Sequence, residues 1–584
     1  MGDYLLVCTH LDRSDGQILS AELAVLARRS GLVVSEIGSG AWIAVGGPHP
    51  PKLTRIFNWT LIGDVLDRRS PSLPACAPDD PWGYERKLAA RFWGRFAGVQ
   101  FGPRNRPLAL LRDPSGAMEC VAWVQSGLLI VASAAFDWLL RRLRPNWRIS
   151  LSRLEQALRD PLTGSGPLII EGPVALSPGT VQPLPLELPP VEIWTPGRIA
   201  GQSLESWPSA EEASEHLRTA VDETVMGLAA LSGPVAAEVS GGLDSAIVAA
   251  SLTRNDVDAR LWLNAYGPTP ESDERNYLRC LGAKLGIDPV SVPHARAPMT
   301  EAGFDDVSRD FRPGLNALDR AHNLDWARRL DDVGAGSLLT GRGGDTILLQ
   351  NATVDVFVDR WRTSGWRTLL SKDSRELVAA NEASLWTFVA EARRRDRGGH
   401  TLPRRSLSLL RPSSTPLPHH PWLAGWDDFG PAKALQIAGL VDSVCRHHPS
   451  ALTRTIDVRN PLCAQPVIEA CLALPAPVLT CGGRDRGLAR RAFRDRLPLE
   501  IVERRSKGDM TKIYGRLVHD NLPFLRPWLI HGRLVDLGMV DPAAADRALT
   551  REALLWHGGY SSIIVLAAFE GWVRRWEDRL GPAR

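Results

Sequence analysis

The sequence predicts an α/β protein in which a β-rich α+β domain precedes a doubly wound parallel sheet and a helical carboxyl-terminal part. Three patterns predict this order. Short apolar runs broken by glycine and proline fill residues 1–165, strand-like and helical runs alternate over residues 210–340, and helical patterns prevail after that. We therefore expect one domain over residues 1–165, a proline-rich connection over residues 166–209 and a second domain over residues 210–584.

Composition and charge narrow the classes of protein to consider. The formal net charge is only +3 over 584 residues, with acidic and basic residues interleaved, so no nucleic-acid partner is expected. No apolar run is long enough to span a bilayer, the start lacks a signal-peptide pattern, and the eight cysteines form no CxxC pair. We therefore expect a cytoplasmic protein without a membrane partner. Only seven of the 69 lysine and arginine residues are lysine, so a lysine inside a motif is informative.

The first domain is expected to contain strands at residues 4–8, 32–37, 41–45, 107–111 and 128–132. Within it, the stretches FWGRFAGV and LRDPSG resemble the core of class II glutamine amidotransferases. Members of that family use an amino-terminal cysteine as the nucleophile, whereas this sequence has Gly2 at that place and its Cys8 lies inside a predicted strand. The resemblance therefore implies a degenerate amidotransferase-like domain without glutaminase chemistry.

The second domain opens with a predicted helix at residues 210–230, and its central motif follows. Residues 235–239 are predicted to form a buried strand and residues 246–252 an apolar helix, joined by the turn Ser240-Gly241-Gly242-Leu243-Asp244-Ser245. Gly241 and Gly242 let backbone N–H groups approach an anion, while Ser240 and Ser245 can donate hydrogen bonds beside the positive end of the helix. The turn resembles the PP-loop SGGxDS of ATP pyrophosphatases, which bind ATP and transfer AMP to a carboxylate.

A second glycine-rich turn ends a series of elements expected at residues 261–265, 272–285, 290–292, 324–332 and 337–340. The turn, Thr340-Gly341-Arg342-Gly343-Gly344-Asp345, resembles the SGxGxDE segment of asparagine synthetases and β-lactam synthetases, with Thr346 replacing the final Glu. The resemblance implies that Asp244 and Asp345 hold Mg²⁺ against the phosphates of ATP. It also implies that Thr340, Gly341 and Gly343 contact ATP or pyrophosphate.

Arg342 occupies the position of a catalytic Glu in asparagine synthetases and of a catalytic Tyr in β-lactam synthetases. An arginine stays protonated near pH 7 and cannot serve as a general base, but it can bind a carboxylate or a phosphate. We therefore expect Arg342 to take part in catalysis in a different way. The sequence does not identify the general base, because Glu376 is expected to be an ordinary surface carboxylate and Asp509 is a weaker candidate still.

Lys507, in the stretch RRSKGD, occupies the place of the family's catalytic lysine. By that resemblance it stabilises the charge on the pentavalent phosphorus and then on the tetrahedral intermediate. Arg486, Arg490 and Arg491 precede it at helical spacing. They are candidates either for pyrophosphate contacts or for a solvated basic face.

The chain resembles the lasso peptide cyclases, also called lasso peptide macrolactam synthetases, in three features together: Gly2, Arg342 and the length of 584 residues. Those enzymes convert an Asp or Glu side chain of a core peptide into its acyl-AMP, and the peptide's own terminal amine closes the ring. The resemblance implies ATP and Mg²⁺ as cofactors, a precursor peptide as substrate, and a leader peptidase and a leader-binding protein as partners. Two other hypotheses stay open: a small-molecule amide or β-lactam synthetase, and an inactive scaffold in a peptide-maturation complex.

Overall fold

The computed structural model describes residues 2–9, 14–68, 80–161, 166–205, 207–398, 402, 407, 409–413, 417, 420–445, 447–505, 511–557 and 559–580. Within these segments, two antiparallel sheets of six strands lie in the amino-terminal part and a parallel sheet of five strands lies in the rest. The predicted α/β fold class, with a β-rich start and a parallel sheet after it, is confirmed.

The five predicted amino-terminal strands are all present within one residue of their expected ends, and other short strands accompany them. In chain order they are β1 (Asp3–Thr9), β2 (Val33–Gly38), β3 (Ala41–Gly46), β4 (Leu53–Ile56), β5 (Trp59–Asp67), β6 (Phe92–Phe101), β7 (Pro107–Arg112), β8 (Val121–Gln125), β9 (Leu128–Ala132), β10 (Arg148–Ile149), β11 (Ile170–Glu171), β12 (Val174–Ala175), β13 (Thr180–Pro183) and β14 (Val191–Glu192). The two sheets have the orders β12-β8-β9-β1-β3-β2 and β14-β13-β7-β6-β5-β4, while β10 and β11 form a separate pair.

Four helices cover these sheets: α1 (Ser14–Arg29), α2 (Gly83–Arg91), α3 (Asp137–Leu143) and α4 (Leu151–Arg159). Side chains alternate along a strand, and most residues of β1 and of β6 are buried, so both faces of each sheet are covered. On β1, Leu6 points into a core shared with Val99 of the second sheet, whereas Leu5 points outward to Leu23 of α1. On the far side of the second sheet, Phe96 packs with residues of α2. The result is a helix–sheet–sheet–helix sandwich.

The proline-rich connection is ordered and adds short strands to both sheets, since β12 pairs with β8 and β13 pairs with β7. Near its end, the Trp194 ring lies 5.6 Å from the Trp422 ring. The Trp194 Nε1 donates a hydrogen bond of 2.8 Å to Glu469 Oε1. Both partners belong to the second part of the chain, so the connection packs against each part. The domain boundaries stay a prediction.

The parallel sheet contains β15 (Val235–Glu238), β16 (Ala259–Tyr266), β17 (Pro289–Pro293), β18 (Ser337–Leu339) and β19 (Asp457–Arg459), in the order β17-β16-β15-β18-β19. The chain runs outward from β15 through β16 to β17, and then returns to β18 on the other side of β15. The strand order therefore reverses between β15 and β18, which is where open α/β sheets bind ligands. The strand β19 was not predicted.

The helices of the second part surround this sheet and fill the carboxyl-terminal region. They are α5 (Pro196–Ala200), α6 (Gln202–Glu205), α7 (Ala210–Ala229), α8 (Leu243–Arg254), α9 (Arg275–Leu285), α10 (Asp305–Ser308), α11 (Arg320–Asp332), α12 (Gly344–Ile347), α13 (Val354–Ser364), α14 (Lys372–Ala380), α15 (Leu385–Gly398), α16 (Pro431–Cys445), α17 (Ala451–Thr455), α18 (Gln465–Leu472), α19 (Ala476–Leu479), α20 (Gly487–Ala492), α21 (Leu499–Val502), α22 (Thr511–Asp520), α23 (Leu522–Ile530), α24 (Arg533–Asp536), α25 (Pro542–Ala548), α26 (Arg551–His557) and α27 (Tyr560–Leu580). None of the helices in the described segments is long and apolar enough to cross a membrane.

The last helix, α27, joins the two parts of the chain through a common apolar core. Its Trp572 and Trp576 are fully buried. They belong to the same core cluster as Leu5 of β1 and Leu23 of α1. The indole N–H of each tryptophan donates to the carbonyl oxygen of Asp310 at 3.1 Å. The amino-terminal sandwich therefore packs directly against the end of the second part.

A buried ion pair makes a second connection between the parts. Arg95 of β6 donates to both carboxylate oxygens of Asp457 of β19, at 2.8 and 2.9 Å, and also pairs with Asp64 of β5. Burial opposes the charge of Asp457, but the guanidinium of Arg95 holds the pKa of this carboxyl well below its usual range. The amino-terminal sheet is thereby fixed to the edge strand of the parallel sheet.

We expect the Arg95→Ala variant to lower the midpoint of thermal unfolding, because it leaves buried carboxylates without their main partner. The cost should be about 3 kcal/mol, at the low end for a broken buried pair. Arg459 Nε, 2.8 Å from Asp457 Oδ2, keeps one contact in place. The matched control is Arg91→Ala, whose pair with Asp67 is about half exposed and should contribute under about 1 kcal/mol. Equal midpoints for the two variants would contradict this account.

Candidate active site

The PP-loop turn joins β15 to α8 and is held by its own serines. Ser240 N donates to Ser245 Oγ at 3.0 Å, and the two hydroxyl oxygens lie 2.8 Å apart. Gly242, the residue before α8, donates its N–H to Ser240 Oγ at 3.1 Å. These bonds keep the turn open toward the amino-terminal end of the helix, where Asp244 lies in the first helical turn.

Gly241 is clamped by a pair of residues that come from distant parts of the chain. Its N–H donates to Glu274 Oε2 at 3.2 Å, and its carbonyl oxygen accepts from Arg504 Nη1 at 2.8 Å. Arg504 Nη1 also lies 2.5 Å from Glu274 Oε1, and its guanidinium lies 4.0 Å from the centre of the Tyr277 ring. A phosphate that binds the Gly241 N–H must therefore displace the carboxylate of Glu274.

The second turn follows β18 and is fixed by one buried hydroxyl. Thr340 Oγ1 donates to Asn460 Oδ1 at 2.7 Å and accepts from Arg342 N at 3.2 Å. Gly343 has φ +89°, and a Cβ there would lie 2.1 Å from Cys463 Sγ. Thr340 and Gly343 thus fix the conformation of the turn on its side away from the cavity.

The two turns touch each other. A Cβ at Gly341 would lie 2.4 Å from Ser245 N, and a Cβ at Gly344 would lie 2.5 Å from Asp244 Cγ. Contacts under about 3 Å leave no room for a side chain, so only glycine allows this approach. The turns at the carboxyl ends of β15 and β18 therefore face one another.

Arg486 places one positive charge between the two motif aspartates. Its Nη1 lies 3.0 Å from Asp244 Oδ2 and 2.8 Å from Asp345 Oδ1, while its Nη2 lies 3.0 Å from Asp485 Oδ2. Burial opposes the charge of Arg486, but the surrounding carboxylates raise its pKa above the ordinary value. The carboxylates of Asp244 and Asp345 therefore converge on a single cation.

This arrangement fits the Mg²⁺ that the PP-loop resemblance implies. Asp244 and Asp345 offer hard oxygen ligands to one shared position, where the Arg486 guanidinium now stands in for a cation. Across the described segments, no cluster of three or more Asp, Glu, His or Cys side chains forms a metal site. Two carboxylates suit Mg²⁺, which usually keeps several waters and takes its remaining ligands from substrate phosphates.

A cavity of about 680 Å³ opens in front of both turns. Seven residues assigned from the sequence line it: Ser240, Gly242, Asp244, Ser245, Gly341, Arg342 and Asp345. Three others, Gly241, Thr340 and Gly343, do not line the cavity but support the turns. Lys507 and Asp509 lie outside the described residues. Glu376 lies on α14, partly exposed, with Lys372 Nζ 3.5 Å from its Oε1.

The three arginines before Lys507 have different environments. Arg486 and Arg490 line the cavity, but Arg490 is held by Asp485 and by the carbonyl oxygens of Ile501 and Val502. Arg491 instead pairs with Glu211 at the surface, where both side chains are more than half exposed. The sequence pattern could not separate these roles.

Several polar residues of the cavity were not assigned from the sequence. The Glu274–Arg504 clamp is one group, although Glu274 lies near the start of the element expected at residues 272–285 and Arg504 lies in the basic stretch RRSKGD. Another group comprises Glu238, His294, Asp319, His322 and Tyr514. Asp319 and His322 both lie at the start of α11, the other three come from separate elements, and the five form no recognisable motif.

A second cavity, of about 530 Å³, lies between the amino-terminal sandwich and the second part. It adjoins the first cavity, since Asn316, Asn323 and Arg342 line both. Gly2 also lines it, and a Cβ there would lie 1.9 Å from the carbonyl oxygen of Gly46. Position 2 therefore has no space for a cysteine side chain. Cys8 is buried in β1, and burial raises its thiol pKa to about 12, so it is not a nucleophile.

The second part of the chain matches a known protein family. A family model described as asparagine synthase matches residues 215–574, which include both glycine-rich turns, Arg486 and Arg504. No curated protein matches the chain.

We expect the Asp345→Asn variant to bind ATP in the presence of Mg²⁺ at least about tenfold more weakly, because it removes one of two converging charges. Calorimetric titration of ATP at several Mg²⁺ concentrations measures the change. The matched control is Asp427→Asn, which alters an exposed aspartate away from the cavity. Equal ATP affinity for both variants and the parent would argue against a cation site at Asp345.

Proposed function

Because the chain belongs to the asparagine synthase family of ATP-dependent, AMP-forming amide ligases, we propose that it closes a macrolactam ring in a ribosomally made peptide. The reaction is that of the lasso peptide cyclases. An Asp or Glu side chain of the core peptide becomes an acyl-AMP, and the terminal amine of the same peptide attacks it. A leader peptidase and a leader-binding protein would deliver the peptide.

One observation supports the first half-reaction above all. The carboxylates of Asp244 and Asp345 converge on a single cation beside the PP-loop serines. A carboxylate oxygen of the substrate attacks the α-phosphorus of ATP, the bond to the β-phosphate oxygen breaks, and pyrophosphate leaves. When bound, Mg²⁺ neutralises charge on the departing pyrophosphate. Arg486 adds a second positive charge there, and the hydroxyls of Ser240 and Ser245 donate hydrogen bonds to phosphate oxygens.

The second half-reaction needs an amine, and the geometry at Gly2 favours an amine carried by the substrate. Ammonia from glutamine would require a nucleophile in the amino-terminal domain, and position 2 has no room for one. A peptide that brings its own amine makes that chemistry unnecessary. Arg342 lies where the two cavities meet and can bind a carboxylate of the peptide. The main contribution of the protein is then to hold both reacting groups together.

Exchange of labelled pyrophosphate into ATP tests the proposal. We expect exchange with some members of a synthetic peptide library, in which each peptide has a free amino terminus and one Asp or Glu at a varied position. The active peptides should also lose one water mass as they cyclise. Asp345→Asn should abolish exchange, while Asp427→Asn should retain it.

Two outcomes would contradict the proposal in different ways. Exchange supported by free aspartate or glutamate, without any peptide, would indicate a small-molecule amide synthetase. Exchange with neither amino acids nor peptides would indicate an inactive scaffold.

A further inference from the structure

A group of ionisable side chains lies in the same cavity, beside the carboxyl ends of β16 and β17. His294 directly follows β17, and Asp319 and His322 lie at the start of α11. None of the three bonds to the PP-loop or to the second turn in the described residues. We therefore consider a role for these three side chains in a step other than phosphate binding.

His294 and Asp319 form a buried pair. His294 Nε2 lies 2.9 Å from Asp319 Oδ2, and the two side chains are 5% and 15% exposed. The two atoms are close but not aligned for a hydrogen bond, since Asp319 Oδ2 has no hydrogen-bond partner in the described segments. The nearby negative charge still favours a proton on Nε2, which leaves a lone pair on Nδ1. That Nδ1 is buried and has no hydrogen-bond partner in the described segments. Buried polar atoms in native proteins usually have partners, so this nitrogen is suited to a group that arrives with the substrate.

The neighbour of His294 holds its ring in place without competing for a proton. The rings of His294 and His322 are stacked, with centres 4.4 Å apart and planes 5° apart. Burial, with help from His294 and Arg342, lowers the pKa of His322 to about 4. His322 is therefore neutral at pH 7.

The charged groups around the pair have opposite signs. Glu238 and Asp319 are acidic, and Arg342 is cationic. Burial raises the pKa of Glu238, and Arg342 opposes that change. Burial and the nearby Asp319 raise the pKa of Tyr514 to about 12, so the Tyr514 hydroxyl stays protonated. Asp319 is then the carboxylate that directly balances a proton taken up by His294.

We propose that Nδ1 of His294 accepts the proton that the attacking amine loses, and that Asp319 is the positioning residue for this imidazole. The proposal rests on the proposed function, whose second half-reaction it completes. The amine nitrogen uses its lone pair to form the C–N bond to the acyl carbon. The bond from that carbon to the AMP oxygen breaks, and its electron pair leaves with AMP. The proton released from nitrogen moves to His294.

Such an acceptor is needed at this position for a chemical reason. The neutral amine attacks with its lone pair, so the nitrogen that has bonded to the acyl carbon carries a positive charge and must lose one proton to become an amide. In the second turn, Arg342 cannot take it. The His294–Asp319 pair lines the same cavity as Arg342 and brings an imidazole there, the side chain most often used as a general base.

The His294→Asn variant separates the two half-reactions. With a library peptide that supports exchange, we expect pyrophosphate exchange close to the parental rate. Ring closure at pH 7 should fall roughly a hundredfold to ten-thousandfold. Hydroxylamine, which is largely unprotonated at pH 7, should still trap the acyl-AMP as a hydroxamate at the parental rate. Asp319→Asn should slow ring closure in the same selective way, and Asp319→Glu should recover part of it.

The matched control is His519→Asn. His519 and Asp520 form a similar pair on the surface, with Nδ1 and Oδ1 3.1 Å apart and side chains 39% and 60% exposed. This control should close rings like the parent. If the parent exchanges pyrophosphate but His294→Asn closes rings at the parental rate, or loses exchange and hydroxamate formation as well, the assignment of the base is overturned and the proposed function stands. If the parent shows no exchange, the proposed function falls and the base falls with it.

Discussion

The contact between the two glycine-rich turns is the constraint on which the catalytic half depends. β15 and β18 are neighbours in the parallel sheet, so the turns that follow them must lie against each other. Side chains at Gly341 or Gly344 would push the turns apart and separate Asp244 from Asp345. The register of the sheet thus sets the distance between the two carboxylates before any ligand binds, which is how a preorganised charge site avoids reorganisation during the reaction.

Sequence reasoning predicted the structure well where one continuous stretch of chain encodes it. The strand, turn and helix around Ser240 form one continuous pattern, and the structure brings both predicted aspartates together. Sequence reasoning failed where residues from distant segments meet. The strand β19 has only three residues and is recognisable only by its pairing with β18. The contact of Arg504 with Gly241 spans more than 200 residues, and that of His294 with Asp319 has no motif spacing, so tertiary structure alone reveals them.

The amino-terminal sandwich is fully folded, like the second part of the chain, although position 2 has no room for a side chain. Its second sheet holds Asp457 through Arg95, and Asp457 begins the strand that leads to Asn460. Asn460 accepts from the Thr340 hydroxyl that shapes the second turn. The sandwich therefore supports the geometry of the catalytic turn through a chain of buried polar contacts. This structural role is independent of any glutaminase activity.

The position of helix α27 limits how the two halves of such proteins can be exchanged between relatives. At one end its Tyr560, Ile564 and Val565 form part of the wall of the cavity in front of the two glycine-rich turns. Toward the other end, its buried tryptophans belong to the core of the amino-terminal sandwich. The two halves are therefore not interchangeable modules. A chimera that took its first half from a relative would have to reproduce the surface on which this helix rests, since a poor fit would tilt the helix and deform the catalytic chamber far from the splice.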